Sequence, residues 1–531
     1  MRKLFGKHGS ATELGDGIEF FIKLSGFALV LVYTRYLSPL EFGVLALLYV
    51  IVRVVDTVVV QGMTSAVSRA SMQHFERGEH EQRMSSSTAF WYAFACAGLV
   101  FGAFALVAGS MSELLFEEAT WTNVVRWFAV AGILRATQNV PRQIFRLQRA
   151  TVRIHLLALA DFVVAAGLNI YFVVVAKQGL LGIAHAEVIR ESIFLVVMLG
   201  CVREHLRFSF SRAALRELLG NGLPKVPRGI SYLAGSVSDR FFLAVYATTA
   251  HLGLYAFAYR FAELLELGAR PLARGLPELH RLGRAQPDHG RALVGRYMTY
   301  FVTLIGLLGL TIVVFTKPVM EIVTPIEYFP VVEVVPLLVL GLCLASIQRV
   351  LLLGVHIQQG AKVMPRIISI AALVNLACNF WWISRHGMWG AATATTVTHA
   401  VLCGVVFVVD RRHFATRFEF GRLARVAATV TITYGISVWA TPENLVGQIA
   451  AGMAVVLLYP ALLGVFGFYT DDELERLREL VNHRVSLRPN LETTAEMTTA
   501  QAPATDPTKP QEPETSPPAR ETPPPRPLQP R

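Results

Sequence analysis

The sequence GLLGIA at residues 179–184 recurs as GMWGAA at residues 387–392, and this repetition decides the fold. Two further matches lie at a similar spacing of about 210 residues, namely GVLA at 43–46 with GLYA at 253–256, and Asn169 with Asn379. Each match is short, but three matches at a nearly constant offset indicate a duplicated segment. We therefore expect two copies of one structural unit in this chain.

The apolar runs around the repeat predict membrane-spanning helices. A helix that crosses the roughly 30 Å hydrocarbon layer of a bilayer needs about 20 mostly apolar residues. Such runs lie at 16–36, 42–64, 86–108, 121–141, 155–176, 180–202, 223–247, 252–274, 295–316, 331–357, 364–384, 387–409, 422–440 and 446–468. Because the repeat covers six spans, both copies begin on the same side of the membrane and are parallel repeats. The predicted fold is an all-α polytopic membrane protein with about 14 transmembrane helices, in two parallel-repeat six-helix bundles plus two C-terminal helices.

The composition agrees with a membrane protein. Of the 531 residues, 53% are hydrophobic and 16% are charged, whereas soluble domains carry about 25% charged residues. The net charge of +11 does not indicate a nucleic-acid partner, because the basic residues form short clusters between apolar runs. Such clusters are typical of the cytoplasmic loops of membrane proteins.

The Lys and Arg residues predict the orientation. Alternate connections contain basic clusters such as Arg142, Arg146 and Arg149, whereas the opposite connections offer only Lys177, Lys317 and Arg385. Since basic loops stay in the cytoplasm, we expect a multi-pass protein of the inner (plasma) membrane with both termini cytoplasmic.

The spans divide the chain into seven segments. We expect a cytoplasmic N-terminus at 1–15, an N-terminal six-helix bundle at 16–202, a cytoplasmic linker at 203–222, a C-terminal six-helix bundle at 223–409, two additional transmembrane helices at 410–468, a cytoplasmic amphipathic helix at 469–487 and a disordered Pro-rich tail at 488–531. Thr470 to Glu473 reads as a capping box that opens the amphipathic helix. Two facing six-helix bundles favour transport by alternating access, although they could instead hold partner proteins together.

Three stretches resemble motifs of a known family. RYLSPLEFG at 35–43, LLGNGLP at 218–224 with DRFFL at 239–243, and HLGLYAFAYR at 251–260 resemble polysaccharide flippases. These flippases form a branch of the multidrug/oligosaccharidyl-lipid/polysaccharide exporter superfamily. The resemblance extends over roughly 16–468, with Ser38 at a turn where many relatives have glycine, and the Pro-rich tail departs from the family pattern.

The resemblance implies a flippase rather than an enzyme. Its expected substrate is an oligosaccharide linked to a polyprenyl diphosphate, which moves from the cytoplasmic to the outer leaflet. Such a head group cannot cross hydrocarbon unaided, because its charges and hydroxyls lose their hydration there. The expected partners are this substrate and the bilayer, with other polysaccharide assembly proteins as candidates and no nucleic acid. No phosphate-binding glycine loop or metal-ligand spacing indicates a cofactor or an enzyme.

Ionisable side chains inside the spans are the candidate site residues, and structural pairing is the competing explanation. The candidates for substrate contact are Arg53, Arg190, Arg240 and Arg260, because the planar guanidinium group can bind two phosphate oxygens at once. The candidates for ion coupling or structural ion pairs are Lys23, Asp56, Glu187, Glu191 and Asp239.

Their positions suggest particular pairs. Asp239 lies about as far from the loop between spans seven and eight as Arg260, so these two residues are expected to pair. Lys23 and Asp56 have the same relation about the first hairpin, although Arg53 could pair with Asp56 instead. The cluster of Glu187, Arg190 and Glu191 either closes on itself or lines the cavity, and we favour the cavity.

Three alternatives stay open. A drug or metabolite exporter of the same superfamily predicts sensitivity to cationic dyes on deletion. A flippase for the peptidoglycan lipid precursor predicts lysis on depletion. A multispan glycosyltransferase is disfavoured because the outward connections are short.

Overall fold

The computed structural model describes residues 10–475, except 60–62, 65, 70–78, 149–150, 359, 441, 472 and 474. Within these residues the regular structure is helical, which confirms the predicted all-α fold. The described residues up to Phe468 form one compact unit, and those from Tyr469 onwards belong to a second unit.

The first half of the main unit contains seven numbered helices. They are α1 (Ser10–Tyr33), α2 (Pro39–Val59), α3 (Glu79–Leu106), α4 (Ala108–Phe116), α5 (Thr122–Leu147), α6 (Thr151–Asn169) and α7 (Gly179–Val202). A π-helix, Ile170–Val175, extends α6. A linker helix, α8 (Arg212–Gly222), leads to the second half.

The second half contains eight numbered helices, the last two of which follow the six repeated spans. They are α9 (Val226–Tyr246), α10 (Thr249–Ala273), α11 (Leu276–Ala285), α12 (Pro287–Val323), α13 (Val331–Gln358), α14 (Gly360–His413), α15 (Phe420–Trp439) and α16 (Leu445–Val465). Each predicted span falls on one of the helices of the two halves. The spans 364–384 and 387–409 share α14, which is interrupted at Gly387 with φ 51°.

Six described helices are long and apolar enough to cross a membrane. They are His80–Leu106, Val152–Val175, Pro287–Val323, Val331–Ile357, Val363–His413 and Leu445–Val465. The helices with central ionisable groups, α7 and α10, are not among these six. The six apolar helices indicate a multi-pass membrane protein.

The glycine turns have the same conformation in both halves. Gly179 and Gly387 have φ values of 56° and 51°, a left-handed conformation that glycine adopts without a Cβ clash. Three residues later, a Cβ on Gly182 would lie 2.9 Å from the Phe172 carbonyl oxygen, and a Cβ on Gly390 2.1 Å from that of Trp382. Each helix therefore begins directly against the end of the preceding helix.

Helices α2 and α10 cross at a second pair of repeated glycines. A Cβ on Gly43 would lie 1.9 Å from the Thr249 carbonyl oxygen, and a Cβ on Gly253 would lie 1.9 Å from the Pro39 carbonyl oxygen. Residues 39 and 249 differ by 210, as do 43 and 253, so each helix makes the same contact with the other. Such reciprocal contact relates the two helices by a local two-fold axis.

We call this end of the molecule the crossing end. It also contains the loops 34–38 and 324–330. The Tyr328 hydroxyl donates to the Leu37 carbonyl oxygen at 2.8 Å, and Arg35 Nε donates to the Val323 carbonyl oxygen at 2.8 Å. The buried rings of Phe42 and Tyr328 lie 6.5 Å apart. Backbone and side-chain contacts between the halves therefore close the crossing end.

Ion pairs join the halves at the opposite end. Arg270 pairs with Glu19, and Arg274 pairs with Asp16. These contacts connect the beginning of α1 with the last turns of α10. Both pairs are partly exposed to solvent, so each contributes only modestly to stability.

In the second unit, the Thr470 backbone N–H donates to Glu473 Oε2 at 3.0 Å. This is one of the two hydrogen bonds of the predicted capping box. The predicted tail at 488–531 and most of the predicted helix at 469–487 lie outside the described residues.

Candidate functional site

A cavity of about 380 Å³ lies between the two halves, bordered by α2 and α5 on one side and by α9 and α10 on the other. Its charged wall residues are Arg53, Arg135, Arg240, Arg260 and Glu263. Four cations and one anion therefore surround one internal space. An anionic group is the natural ligand of such a site.

Two of these arginines are neutralised by carboxylates. Arg260 pairs with Glu263, one turn further along α10, at 2.9 Å. Arg135 Nε lies 3.4 Å from Asp56 Oδ2. Each of these two positive charges is therefore shared with a neighbouring side chain.

The other two arginines form no ion pair with any described residue. Arg53 on α2 is exposed to the cavity. The guanidinium carbon of Arg240 lies 4.7 Å from the centre of the Tyr259 ring, which is a cation–π contact. Arg53 and Arg240 come from different halves and are the best placed to bind an added anion.

A second cavity of about 330 Å³ shares Arg53 with the first. Its wall also contains Asp56, Arg142 and Arg146. Because α2 runs away from the crossing end, these residues extend the basic wall towards the opposite end. One Asp56 oxygen, Oδ1, is buried without a hydrogen-bond partner among the described residues.

The cluster of Glu187, Arg190 and Glu191 closes on itself. It does not line the first cavity, contrary to our prediction. Arg190 Nη2 lies 2.6 Å from Glu187 and 2.6 Å from Glu191, and Nη1 lies 3.2 Å from Asp161. Three carboxylates around one guanidinium group leave it no free charge for a ligand. Asp161 was missed because nothing in the sequence indicates which face of α6 meets α7.

The network still reaches the first cavity. Tyr49, which lines that cavity, donates a hydrogen bond to Glu187 at 2.7 Å. On the other side, Gln138 Nε2 donates to Glu191 at 2.7 Å, and Arg142 donates to Gln138 at 2.8 Å. Polar contacts therefore connect the walls of the two cavities through the interior of the first half.

Asp56 forms an ion pair, but its partner is not one of the predicted residues. Asp56 pairs with Arg135, and among the described residues Lys23 is exposed and forms no ion pair. The related pair in the second half joins Glu266 to Arg349 at 2.8 Å. Residues 56 and 266 differ by 210, so the second and fourth spans of each half are linked at equivalent places.

The predicted pair of Asp239 with Arg260 is also absent. Asp239 accepts hydrogen bonds from the Tyr255 hydroxyl at 2.7 Å and from the Arg240 backbone N–H at 2.8 Å. Equal distance from a loop places two residues at one depth, but it does not fix the faces of the helices on which they lie. Arg260 instead pairs with Glu263 of its own helix.

A buried polar cluster lies beside Asp239. The Ser238 hydroxyl donates to Asn375 Oδ1 at 2.7 Å, and Asn379 Nδ2 donates to the Ser238 oxygen at 2.9 Å. Asn375 Nδ2 donates to Thr398 at 3.4 Å. The sequence singled out Asn379 only as a repeat position, and its neighbours carry no separate signal because single Ser, Asn and Thr residues are common in such helices.

Comparison with known proteins agrees with this architecture. Residues 32–267 match the family model described as polysaccharide biosynthesis protein. The resemblance predicted from the sequence is confirmed. No curated protein matches the chain.

Two solved structures share the fold. Lipid II flippase MurJ in an inward closed conformation has a TM-score of 0.66 at 14% identity, over 85% of this chain and 97% of that chain. The inward-facing conformation of a multidrug resistance MATE family transporter of the MOP superfamily has a TM-score of 0.57 at 15% identity, over 78% of this chain and 99% of that chain. These relatives are transporters and flippases.

Proposed function

We propose that this chain, a relative of the polysaccharide biosynthesis proteins over residues 32–267 with the fold of MurJ and a MATE transporter, is a flippase. Its proposed substrate is an oligosaccharide on a polyprenyl diphosphate, which it moves from the inner to the outer leaflet by alternating access. The single observation that carries this proposal is the arginine-lined cavity between the halves.

The charges of the cavity suit a diphosphate. Arg53 and Arg240 contribute two guanidinium groups from opposite walls, and neither is paired with a described carboxylate. Arginine binds phosphate oxygens through two parallel hydrogen bonds. A diphosphate held between these walls would replace its hydration shell with protein donors, which removes much of the cost of entering the membrane.

The direction of transport follows from the proposed orientation. The basic connections place both termini in the cytoplasm, so the crossing end faces outwards. The contacts between Gly43 and Gly253 then close the cavity to the outside, while the second cavity extends it towards the cytoplasm. We propose the inner membrane as the location on the same grounds.

An ion gradient is the proposed energy source. Of the predicted coupling residues, Asp56 borders the second cavity and has an oxygen without a hydrogen-bond partner among the described residues. Asp239 instead lies beside the buried Ser238 cluster. Binding of a small cation at that cluster is the alternative to ion coupling at Asp56. Glu187 and Glu191 stay as structural candidates through Arg190, whereas Lys23 forms no ion pair with a described residue.

A flippase for the peptidoglycan lipid precursor is the second candidate. The fold shared with lipid II flippase MurJ favours it, and a sugar diphosphate on a polyprenyl carrier presents the same charged group. The two candidates differ on deletion of the gene. Polysaccharide export predicts viable cells in which a lipid-linked oligosaccharide accumulates on the inner leaflet, whereas precursor export predicts lysis.

The cavity itself is tested with Arg53→Ala and Arg240→Ala. Losing a hydrogen bond to a charged group costs about 1.5–3 kcal/mol, so each variant should bind the substrate roughly ten- to a hundred-fold more weakly. Arg385→Ala is the matched control, because Arg385 is exposed and lies against Trp381 away from the cavity. Normal glycan export by both cavity variants, at normal protein levels, would contradict the proposal.

A further inference from the structure

Two uncharged polar groups in the wall of the first cavity lack a partner. The Tyr33 hydroxyl on α1 and Asn169 Oδ1 on α6 are buried and have no hydrogen-bond partner among the described residues. The two residues are 7% and 8% exposed. Buried polar groups without partners are rare in proteins and call for an explanation.

The hydrogen-bonding role of each group is fixed by its chemistry. Asn169 Nδ2 donates to the Ala165 carbonyl oxygen at 2.8 Å. Because a carbonyl oxygen can only accept, the amide nitrogen must face Ala165, and Oδ1 is left as an unused acceptor. The Tyr33 hydroxyl is left with an unused donor. The wall therefore offers one donor and one acceptor, both neutral.

Tyr33 and Asn169 lie nearer to the crossing end than Arg53 does. Tyr33 is the last residue of α1, which ends there, and Asn169 is the last residue of α6 before its π-helix. Arg53 lies 14 residues beyond the start of α2 at Pro39, or about 21 Å along that helix. Arg240 lies six residues before the end of α9 at Tyr246, or about 9 Å along that helix, so Tyr33 and Asn169 lie near the depth of Arg240 and closer to the crossing end than Arg53.

The second half does not repeat this neutral pair. At an offset of 210 residues, Leu243 stands in the place of Tyr33, and its apolar side chain is fully buried. Asn379 stands in the place of Asn169, and its Oδ1 is likewise buried without a partner among the described residues, but Asn379 belongs to the buried Ser238 cluster and does not line the first cavity. The combination of an unused donor and an unused acceptor in the wall of this cavity is therefore found in the first half only, among the described residues.

We infer that Tyr33 and Asn169 form a sugar subsite, which hydrogen-bonds a hydroxyl or acetamido group of the sugar attached to the diphosphate. A hydroxyl group can accept from Tyr33 and donate to Asn169, and an amide can do the same through its two ends. An ammonium group leaves the Tyr33 donor unused, and an ionised phosphate leaves the Asn169 acceptor unused. The pair therefore favours a neutral sugar group over a cation or a bare phosphate.

This inference rests on the proposed function, and the test separates the two. Purified Tyr33→Phe and Asn169→Leu proteins are reconstituted in vesicles with either a polyprenyl diphosphate that carries a sugar or the same polyprenyl diphosphate without sugar. We expect each variant to bind the sugar-bearing lipid about tenfold more weakly than the wild type. Binding of the bare polyprenyl diphosphate should stay unchanged.

Two controls complete the design. Tyr171→Phe removes the hydroxyl of an exposed tyrosine and should bind both lipids normally. Arg53→Ala should weaken the binding of both lipids equally. Thermal unfolding is measured for every variant, and Tyr33→Phe, which deletes a single oxygen atom, keeps the test informative if Asn169→Leu folds poorly.

The outcomes are distinguishable. If Tyr33→Phe weakened the binding of both lipids equally, or of neither, the sugar subsite would be overturned. If Arg53→Ala and Arg240→Ala bind both lipids as the wild type does, the proposed function fails. A loss confined to the sugar-bearing lipid in both the Tyr33 and Asn169 variants supports the subsite.

Discussion

Arg53 and Glu263 occupy equivalent places in the two halves but carry opposite charges. Residue 263 is 210 positions beyond residue 53, and both side chains line the first cavity. Glu263 pairs with Arg260 of its own helix, whose equivalent in the first half is the apolar Val50. Arg53 forms no ion pair with a described residue, because its acidic neighbour Asp56 pairs with Arg135. A change of single side chains on a repeated frame therefore leaves a positive charge free on one wall.

The Arg190 network has the opposite character, and we expect it to contribute stability. Arg190→Leu would leave Asp161, Glu187 and Glu191 close together without their shared cation. Removing one partner of a buried ion pair typically costs about 3–5 kcal/mol. The variant should therefore unfold at a clearly lower temperature and accumulate to a lower level in the membrane.

The control for this prediction is Arg53→Leu. Arg53 forms no ion pair with a described residue, so its loss should leave the unfolding temperature close to that of the wild type while substrate binding falls. If Arg190→Leu matched Arg53→Leu in unfolding temperature, the network would not have the structural role assigned to it.

The sequence predicted which charged residues lie within the spans, but it did not predict the residues with which they pair. Arg53, Arg240 and Arg260 stand out as arginines within apolar spans, and all three line the cavity. Arg135 lies within the predicted span 121–141 and was equally visible, but it was not singled out. Partners such as Asp161 for Arg190 depend on the rotation of each helix about its axis, which spacing along the chain does not determine.

At the scale of helices, the crossing of α2 and α10 makes a specific prediction. A Cβ on Gly43 would lie 1.9 Å from a backbone oxygen, so Gly43→Ala requires the two helices to separate. Overpacking of this kind costs about 1–3 kcal/mol. We therefore expect the population to shift by about tenfold or more towards the state open at the crossing end.

A single cysteine at position 46, which lines the cavity, reports this shift in a background without the five native cysteines. Labelling by a membrane-impermeant reagent from outside the cell should increase in Gly43→Ala. Gly98→Ala on α3 is the matched control, because nothing lies within 4 Å of its added Cβ. The same labelling in both variants would exclude the crossing as a closure.

The helices themselves were largely predictable, because an apolar run of sufficient length forces a helix in hydrocarbon. The sharpness of the turn between the spans 364–384 and 387–409 was not predicted. Gly387 turns the chain within one residue, so no connecting loop separates the two runs. The partial π-helix after Asn169 also gave no signal, since its residues Ile170–Val175 are as apolar as those of an ordinary span.

At the scale of the whole molecule, orientation is the claim that the next experiment should test. Cysteines that replace Glu113 and Glu327 should react with an impermeant reagent added outside intact cells, whereas a cysteine that replaces Arg284 should not. All three residues are exposed, so burial does not affect the comparison. Labelling of the third position alone would reverse the topology and the direction of transport.

The repeat predicted two related halves, and the structure adds where they touch. The glycine motifs at 43 and 253 meet at the crossing, which places two segments distant in sequence against each other. No pattern within either motif indicates that its contact would be its own copy. The position of the cavity between the halves follows from that contact.

The crossing of α2 and α10 has a mechanical consequence. Because backbone meets backbone there, the spacing of the two helices is set by rigid peptide groups, and no side chain can change rotamer to absorb a displacement. A tilt of one half therefore displaces the other half directly through this backbone contact. The contact that closes the cavity at the crossing end is therefore also a contact that couples the two halves.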